Sequence, residues 1–491
     1  MQVMPFMVEM KQREFNIDKK RNFSEWYNTI IYASELADIR YNIKGFLVHR
    51  PWSALAFRHI YRLFESELEA DGHMPVIFPT LIPEENFLKE KEHVEGFAPE
   101  VFWVTQKGEE KLDRRLALRP TSETAFYQMY NLWVDSFRDL PLKLYQSCSV
   151  FRAEKETNPF LRGSEFLWIE THDLFETAEG AQRQTAMDLE IMSRVATEHL
   201  GIAFIPFERP QWDKFAGAEK TYAYDCLMPD GKAFQFGSTH LLGQHFTLAF
   251  EVSFTDAQGN RKNPYSTCFG PGIWRVLGAV ISVHGDQKGL IMPYAIAPIQ
   301  VIIVPISKSD SGDEVLKKAI EIKSLLLSAG IRAEIDKSDR TPGFKYNWWE
   351  MRGVPFRIEL GSREVVEKCA TLVRRDTREK IKIGIDGLVD AVLAQADLQL
   401  KSLKANSEKE LAQAIRTANT KEEAKRILEE KGFARIFICT LDMDGRKCAE
   451  DLKEFTKGGK VRGIRLGEKP ENGKCIACGR DGIRVYFARQ Y

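Results

Sequence analysis

At 491 residues the chain has room for about three domains of the usual ~100 to 200 residues, and 44% apolar with 29% charged content is a globular composition. No stretch of about 20 apolar residues offers a membrane span, and the opening MQVMPFMVEMKQREFNIDKK lacks a secretory-type run, so no membrane partner and a cytoplasmic location are expected. With 70 basic against 70 acidic residues there is no overall basic field, so any nucleic-acid contact must come from local patches.

The first clear element is a helix over Ser53 to Ala70: Ala56, Ile60, Leu63 and Phe64 recur at helical spacing, Ser53 is placed to cap it, and Asp71-Gly72 ends it. A strand ending at Pro79 follows. The string RPTSE, Arg119 to Glu123, then precedes a helical pattern through Phe126, Tyr130 and Val134, which makes Thr121 or Ser122 a candidate N-cap.

The stretch FRAEKETNPFLRGSEFLWIETH, Phe151 to His172, reads as two strands joined by a charged loop. Alternate residues share a strand face, so Arg152 and Glu154 point one way from the first strand, as do Phe166, Trp168, Glu170 and His172 from the second. A face carrying a cation, two carboxylates, two aromatics and an imidazole suits neither solvent nor an apolar core, because unpaired buried charge is costly. A bound ligand would resolve the conflict; a plain Arg152–Glu154 pair above ordinary core aromatics fits the same spacing.

Beyond Pro298 the pattern changes. VIIVPI is a buried strand, Asp313 to Ala329 is helical, Ile331 to Ile335 is a strand, and the alternation continues through VPFRIELG and CATLVRR, giving an α/β unit with a mixed sheet. Between Pro298 and Ile385 there are 17 Lys and Arg against 13 Asp and Glu, a small basic excess of the sign RNA contact requires. From about Ala396 the chain is Lys/Glu-rich and helical through Glu430, then Gly-rich and cysteine-bearing. Cys475 and Cys478 form a C-x-x-C pair, with Cys439 and Cys448 upstream, a set suited to tetrahedral structural zinc. The eight residues between Cys439 and Cys448 exceed the usual short spacing, and reduced structural thiols are the alternative.

The Phe-Arg-x-Glu strand, the loop and Arg-x-x-x-Phe resemble motif 2 of the class II aminoacyl-tRNA synthetases. The resemblance implies that Arg152 meets the ATP α-phosphate and the amino acid carboxylate, Glu154 the adenine amino group, Arg162 the γ-phosphate, and that Phe166 stacks on adenine. The helix, strand and Pro79 resemble motif 1, which builds a homodimer interface. RPTSE resembles the Thr-x-Glu element of the subgroup that includes the prolyl, threonyl, glycyl and histidyl enzymes, so Thr121 and Glu123 would hold the substrate ammonium. HVEGFAPEVFWV and FLWIETH are similar to prolyl enzymes of the archaeal and eukaryotic type, which implies an aromatic proline pocket of Phe97, Trp168 and His172. Glu170 belongs to the same proline-binding set, more as a support than as a contact. QFGSTHLLGQHF resembles the family's next segment, with Gln235 and Ser238 toward ATP and His240 toward proline.

Arg275 stands where motif 3 should end, over the adenine, but Gly-Pro-Gly-Ile-Trp replaces the usual polar residues before it. PGFKYNWWEMRGVPFRIELG resembles the family's anticodon-binding domain, with Phe344, Lys345, Arg352 and Glu359 as candidates for the anticodon. Tyr491 matches a terminal tyrosine whose carboxylate approaches the site in that type. Only 102 residues separate His172 from Arg275, too few for an editing insertion as well as the remaining catalytic elements.

The resemblance therefore implies an α+β protein. Residues 22–297 would form a class II catalytic domain built on an antiparallel sheet, after an extension over 1–21. Residues 298–395 would form an α/β mixed-sheet anticodon domain, and 396–491 a small α+β zinc-bearing domain. The expected activity is prolyl-tRNA synthesis from L-proline, ATP with Mg²⁺, and tRNA(Pro), by a homodimer in which Arg152, Arg162 and Arg275 do the catalytic work. A threonyl or histidyl sister enzyme, or a non-catalytic tRNA-binding relative, is the alternative.

Overall fold

The computed structural model describes residues 15, 17–93, 101–306 and 312–491. Phe97, expected in the proline pocket, lies outside them, as does most of the 1–21 extension.

Helix α1 (Pro51–Ala70) begins a little before the expected Ser53. Pro51 occupies the first helical position, where its missing N–H costs nothing and its φ is already helical. Arg50 takes the cap position, and Ser53 is freed to donate its hydroxyl to the Leu36 carbonyl at 2.6 Å. Its Phe57, Ile60, Phe64 and Leu68 are buried against the back of a large sheet.

That sheet is built from β1 (Met74–Pro75), β2 (Leu142–Phe151), β3 (Glu165–Phe175), β4 (Phe204–Glu208), β5 (Lys220–Leu227), β6 (Ala233–Gly243) and β7 (Tyr265–Pro271). In space they run β4-β5-β6-β7-β3-β2-β1, antiparallel throughout except that β1 lies parallel to β2. Helix α2 (Glu123–Trp133) follows RPTSE and packs Phe126, Tyr127 and Tyr130 into a second core. Helix α3 (Ile273–His284) is apolar nearly all round and lies buried behind the sheet with α1. The back of the sheet is therefore sealed by side chains each stabilising by about 1.5 to 3 kcal/mol on burial, which leaves the front for chemistry.

The next unit has the mixed sheet the sequence predicts. Strands β8 (Val301–Ile306), β9 (Ala333–Ile335), β10 (Phe356–Gly361), β11 (Cys369–Arg374) and β12 (Lys380–Gly384) lie in the order β9-β8-β10-β11-β12. The first two pairings are parallel and the last two antiparallel. Helix α4 (Gly312–Ser328) covers one face with Val315, Ala319, Ile322 and Leu326, and α5 (Pro342–Met351) packs Tyr346 and Trp349 on the other, against Ile302 and Val304.

Helix α6 (Leu388–Ala414) is continuous through residues 395 and 396, so the boundary drawn there falls inside a helix. The C-terminal part adds β13 (Ile415–Thr417), α7 (Lys421–Glu429), β14 (Phe433–Ile438), α8 (Arg446–Phe455), β15 (Lys460–Arg465), β16 (Asn472–Lys474) and β17 (Asp481–Ala488). Its sheet is not separate. After pairing with β17, β15 shifts register and pairs with β4 (Ile464 with Glu208, Arg465 with Phe207), so catalytic and C-terminal strands form one twelve-stranded sheet. Gly463 makes the transfer at φ +120°, and a Cβ at this position would collide with the Glu208 carbonyl oxygen. Only glycine fits. Among the described residues no helix is long and apolar enough to cross a membrane.

Candidate active site

The front of the sheet encloses a cavity of about 570 Å³, the size of a small-molecule site. Eleven residues singled out from sequence line it: Thr121, Glu123, Arg152, Glu154, Arg162, Phe166, Trp168, Gln235, Ser238, His240 and Arg275. They come from the start of α2, the loop between β2 and β3, the strands β3 and β6, and the start of α3, so the fold gathers what the sequence scatters.

Strand β2 ends at Phe151, which places Arg152 and Glu154 in the loop rather than on the strand. Arg152 donates from Nε to the Pro120 carbonyl at 3.1 Å and lies over two rings, its guanidinium carbon 5.2 Å from the Phe166 centroid and 5.5 Å from that of Trp168. Both contacts fix the fork while leaving its other nitrogens for an anion. Burial lowers its pKa, opposed by the charges of Glu123, Glu154 and Glu170. Across the loop Arg162 stands 3.8 Å from Glu154. Arg275 donates to the Gln235 carbonyl at 2.9 Å and faces the Phe234 ring at 5.5 Å. Burial first, then the like charges of Arg152 and Arg162, push it down to about 10. Three arginines that repel one another around a cavity make an anion site.

The unusual run before Arg275 has a packing explanation. Trp274 is buried, with its Nε1 3.2 Å from His49 Nε2 and its ring edge-on to Phe160 at 5.6 Å. It lies so close to Gly163 that a Cβ there would collide with the indole. The tryptophan thus buttresses the loop that carries Arg152 and Arg162, in place of the polar residues expected at this position.

Beside Arg152, the Thr121 hydroxyl bridges Glu123 and Glu170, the latter at 3.1 Å, and the Ser122 amide donates to Glu170 at 3.1 Å. Ser122 takes the cap position of α2 without a side-chain capping bond; its hydroxyl receives Gln146 Nε2 instead, at 2.7 Å. Gln146 Nε2 also donates to Glu170, at 2.7 Å. Glu123 keeps an oxygen facing the cavity and Cys268 Sγ, 3.7 Å away. A carboxylate with one hydroxyl partner in a buried wall suits a secondary ammonium.

His172 departs from expectation. It does not line the cavity but is fully buried beneath its wall, because β3 runs on under α2 and Phe126 covers the imidazole at 4.3 Å. Its Nε2 lies 3.2 Å from Glu170. Burial opposes charge on both groups, but their mutual attraction raises the histidine and lowers the carboxylate. Glu170 likewise lies under the wall. His240 does face the cavity, held by Thr221 at 3.0 Å and Ser238 at 3.1 Å; burial, with His172 and Arg152, pushes it down to about 3, so it is neutral.

Sequence reasoning missed Phe215, which packs on His240 at 4.7 Å, and Cys268 and Gly270, alternate residues of β7 facing the cavity. The strand alternation could have flagged the last two; the loop carrying Phe215 has no period to read. Among the described residues, Glu154 and Asp213 are the carboxylates lining the cavity besides Glu123, oxygen donors of the kind a hard cation such as Mg²⁺ takes.

The anticodon candidates divide. Phe344 is half-exposed and stacked on Trp348 at 6.1 Å, with Arg340 over its ring at 5.1 Å. Lys345 is buried and donates to the Asp336 carbonyl at 3.1 Å. Arg352 is buried, paired with Glu35 of the catalytic unit and laid on Trp348 at 3.4 Å. Both are thereby withdrawn from RNA. Glu359 is held by Arg357 at 2.9 Å and Lys380 at 2.8 Å.

The four cysteine sulfurs converge, all within 4.8 Å of one another, with Cys439 and Cys448 3.7 Å apart. That is close to the ~3.8 Å edge of a tetrahedron with ~2.3 Å zinc–sulfur bonds. The long spacing is taken up by a turn and the start of α8, which carries Cys448. Arg480 donates to Cys478 and Cys439, each at 3.5 Å, as suits thiolates. The donor set fits zinc.

Comparison with known proteins agrees with this geometry. Residues 102–284 match the class II tRNA synthetase core domain of the G, H, P, S and T enzymes, 300–395 an anticodon binding domain, and 421–491 the prolyl-tRNA synthetase C-terminal domain. The chain is 50% identical to the proline–tRNA ligase of Thermofilum pendens over 98% of its own length and 100% of that protein's. It is 42% identical to that of Thermococcus kodakarensis, covering 96% and 98%. A prolyl-tRNA synthetase of Giardia lamblia, solved in complex with prolyl-adenylate, superposes with a TM-score of 0.93 at 34% identity, covering 97% of this chain and 100% of that one. With its fold, its cavity and its sequence all in agreement, the chain belongs to the proline–tRNA ligase family of class II synthetases.

Proposed function

We propose that this chain joins proline to ATP as prolyl-adenylate and passes the prolyl group to the 3′ end of tRNA(Pro). The observation that carries the reading is one cavity lined by three arginines and by the Thr121–Glu123 ammonium seat. The proline carboxylate attacks the α-phosphorus, a P–O bond forms, and pyrophosphate leaves with the electrons of the broken bond. That nucleophile is ionised at neutral pH, so the site needs alignment and charge neutralisation rather than a base. Arg152 would touch both reacting groups, Arg162 the leaving phosphates, and Arg275 the adenine side, with Glu154 and Phe166 reading the base. Gln235 and Ser238 would complete the nucleotide wall. The ring would lie against Trp168, His240 and Phe215. Glu154 and Asp213 would help to hold a Mg²⁺ bound to the triphosphate, which would offset its charge. The tRNA terminal hydroxyl then attacks the adenylate carbonyl, an ester C–O bond forms as the C–O bond to phosphate breaks, AMP leaves with those electrons, and the hydroxyl proton passes to the departing phosphate or to solvent.

Proline-dependent exchange of pyrophosphate into ATP tests this. The rate should exceed that with threonine or histidine by about a hundredfold, since Trp168 and Phe215 present ring faces rather than polar groups to those side chains. Equal rates with all three amino acids would defeat the assignment.

We further assign anticodon contact to the unit around Phe344 and Arg340, structural zinc to the four cysteines, and a cytoplasmic location, where a reduced thiol cluster persists. A homodimer is supported by exposed Met74, Ile77, Leu132 and Trp133, brought together where Phe78 meets Trp133 at 6.0 Å, next to the motif 1 strand. Ile77 is 95% exposed and has no packing role among the described residues. Ile77→Asp should therefore shift light-scattering mass from dimer to monomer without changing the circular dichroism of the fold. An unchanged dimer would place the interface elsewhere.

A further inference from the structure

A buried ionic relay links the C-terminal unit to the nucleotide wall. Asp225 is fully buried on β5, opposite Gln235, at a break in the β5–β6 register. It accepts from two arginines. Arg209, just past β4, reaches Asp225 Oδ1 at 2.9 Å and with the same nitrogen reaches Gln235 Oε1 at 2.9 Å. Arg462 comes from the C-terminal unit and donates to Asp225 Oδ2 from Nε at 2.7 Å. It sits at the register shift of β15, where a bulge turns its side chain inward. Arg462 also pairs with Gln490, and its own carbonyl accepts from Arg209 at 3.0 Å.

All three charged groups are at most 3% exposed, so each is held by the others rather than by water. The relay ends at the cavity: Arg209 and Gln235 line it, and the Gln235 carbonyl accepts from Arg275. Burial, with the like charge of Arg462, lowers Arg209 to about 10, still charged at neutral pH. Arg462 itself is absent from the cavity wall.

We propose that Arg462 is a positioning residue for the nucleotide, setting through Asp225 the orientation of Arg209, Gln235 and Arg275, so that the C-terminal unit governs ATP affinity. The proposal rests on the reading of this cavity as the ATP site. Loss of one arginine leaves a neutral Asp225–Arg209 pair free to shift, whereas the ammonium seat, on α2 and β3, keeps all its partners. The signature is therefore a split between substrates.

Arg462→Met should raise KM for ATP about tenfold while kcat and KM for proline stay within about twofold, since misplacing a wall group weakens the ligand it holds. Arg462→Lys, which keeps the charge but loses the fork, should fall between. Leu452→Ala, in the C-terminal core away from the relay, controls for general loosening and should leave KM for ATP within about twofold even where it lowers the melting temperature. Titration calorimetry with ATP alone reads the affinity without turnover, so it tests the relay even if proline-dependent exchange were absent, a result that would count against the functional reading instead. An Arg462→Met protein that binds ATP like wild type, or a Leu452→Ala protein equally impaired, would overturn the proposal.

Discussion

Arg152→Ala should lower kcat/KM for proline-dependent exchange by at least about a hundredfold, the scale of removing one donor aimed at developing charge. The guanidinium is held by the Pro120 carbonyl and two rings, so its place is set before substrate arrives and no reorganisation accompanies the rise of charge on the α-phosphate. The fold should survive, because the residue lies in a loop and its removal strands no buried acid: Glu123 keeps Thr121, and Glu154 keeps Arg162 nearby. The melting temperature separates the two effects. Exchange near the wild-type rate would remove Arg152 from the chemistry.

The second large effect is expected from Cys475→Ser. Zinc in a four-thiolate site contributes about 10 to 16 kcal/mol of apparent folding free energy in small domains, and Cys475 and Cys448 are also buried members of the C-terminal core. The variant should lose about one zinc per chain by elemental analysis and melt its C-terminal unit at lower temperature. Activity should fall less than for Arg152→Ala, since none of the four sulfurs reaches the cavity. Wild-type protein prepared without chelators and found free of zinc would retire the metal.

Much of this site is written locally. In the hairpin from Phe151 to His172 the conflict between charges and aromatics is visible without a partner, although strand alternation accounts only for Phe166 and Trp168, and Arg152 and Glu154 reach the cavity from the loop. What sequence could not supply was depth. His172 obeys the same alternation as Trp168 but lies under Phe126, and only the path of α2 decides which of the two meets the cavity. Lys345 and Arg352 look like RNA-facing cations until Asp336 and Glu35 arrive from elsewhere in the fold and bury them. Trp274 looks like a defect in motif 3 because Gly163, the partner that makes room for it, is far off in the chain. The mixed sheet of the anticodon unit was legible, since its strands alternate with helices at short range. The pairing of Ile464 with Glu208 was not, for no local pattern announces which strand a long-range neighbour will choose.

That pairing also determines what cannot be cut away. A fragment ending before the C-terminal strands would leave Phe204–Glu208 as a bare sheet edge, its N–H and C=O groups turned outward and Phe207, which packs on Phe433 and Tyr486, stripped of cover. Such an edge is a template for the same edge on another copy. The C-terminal unit is thus a guard against self-association as well as an added module, and shortening the chain would trade a discrete particle for a sticky one.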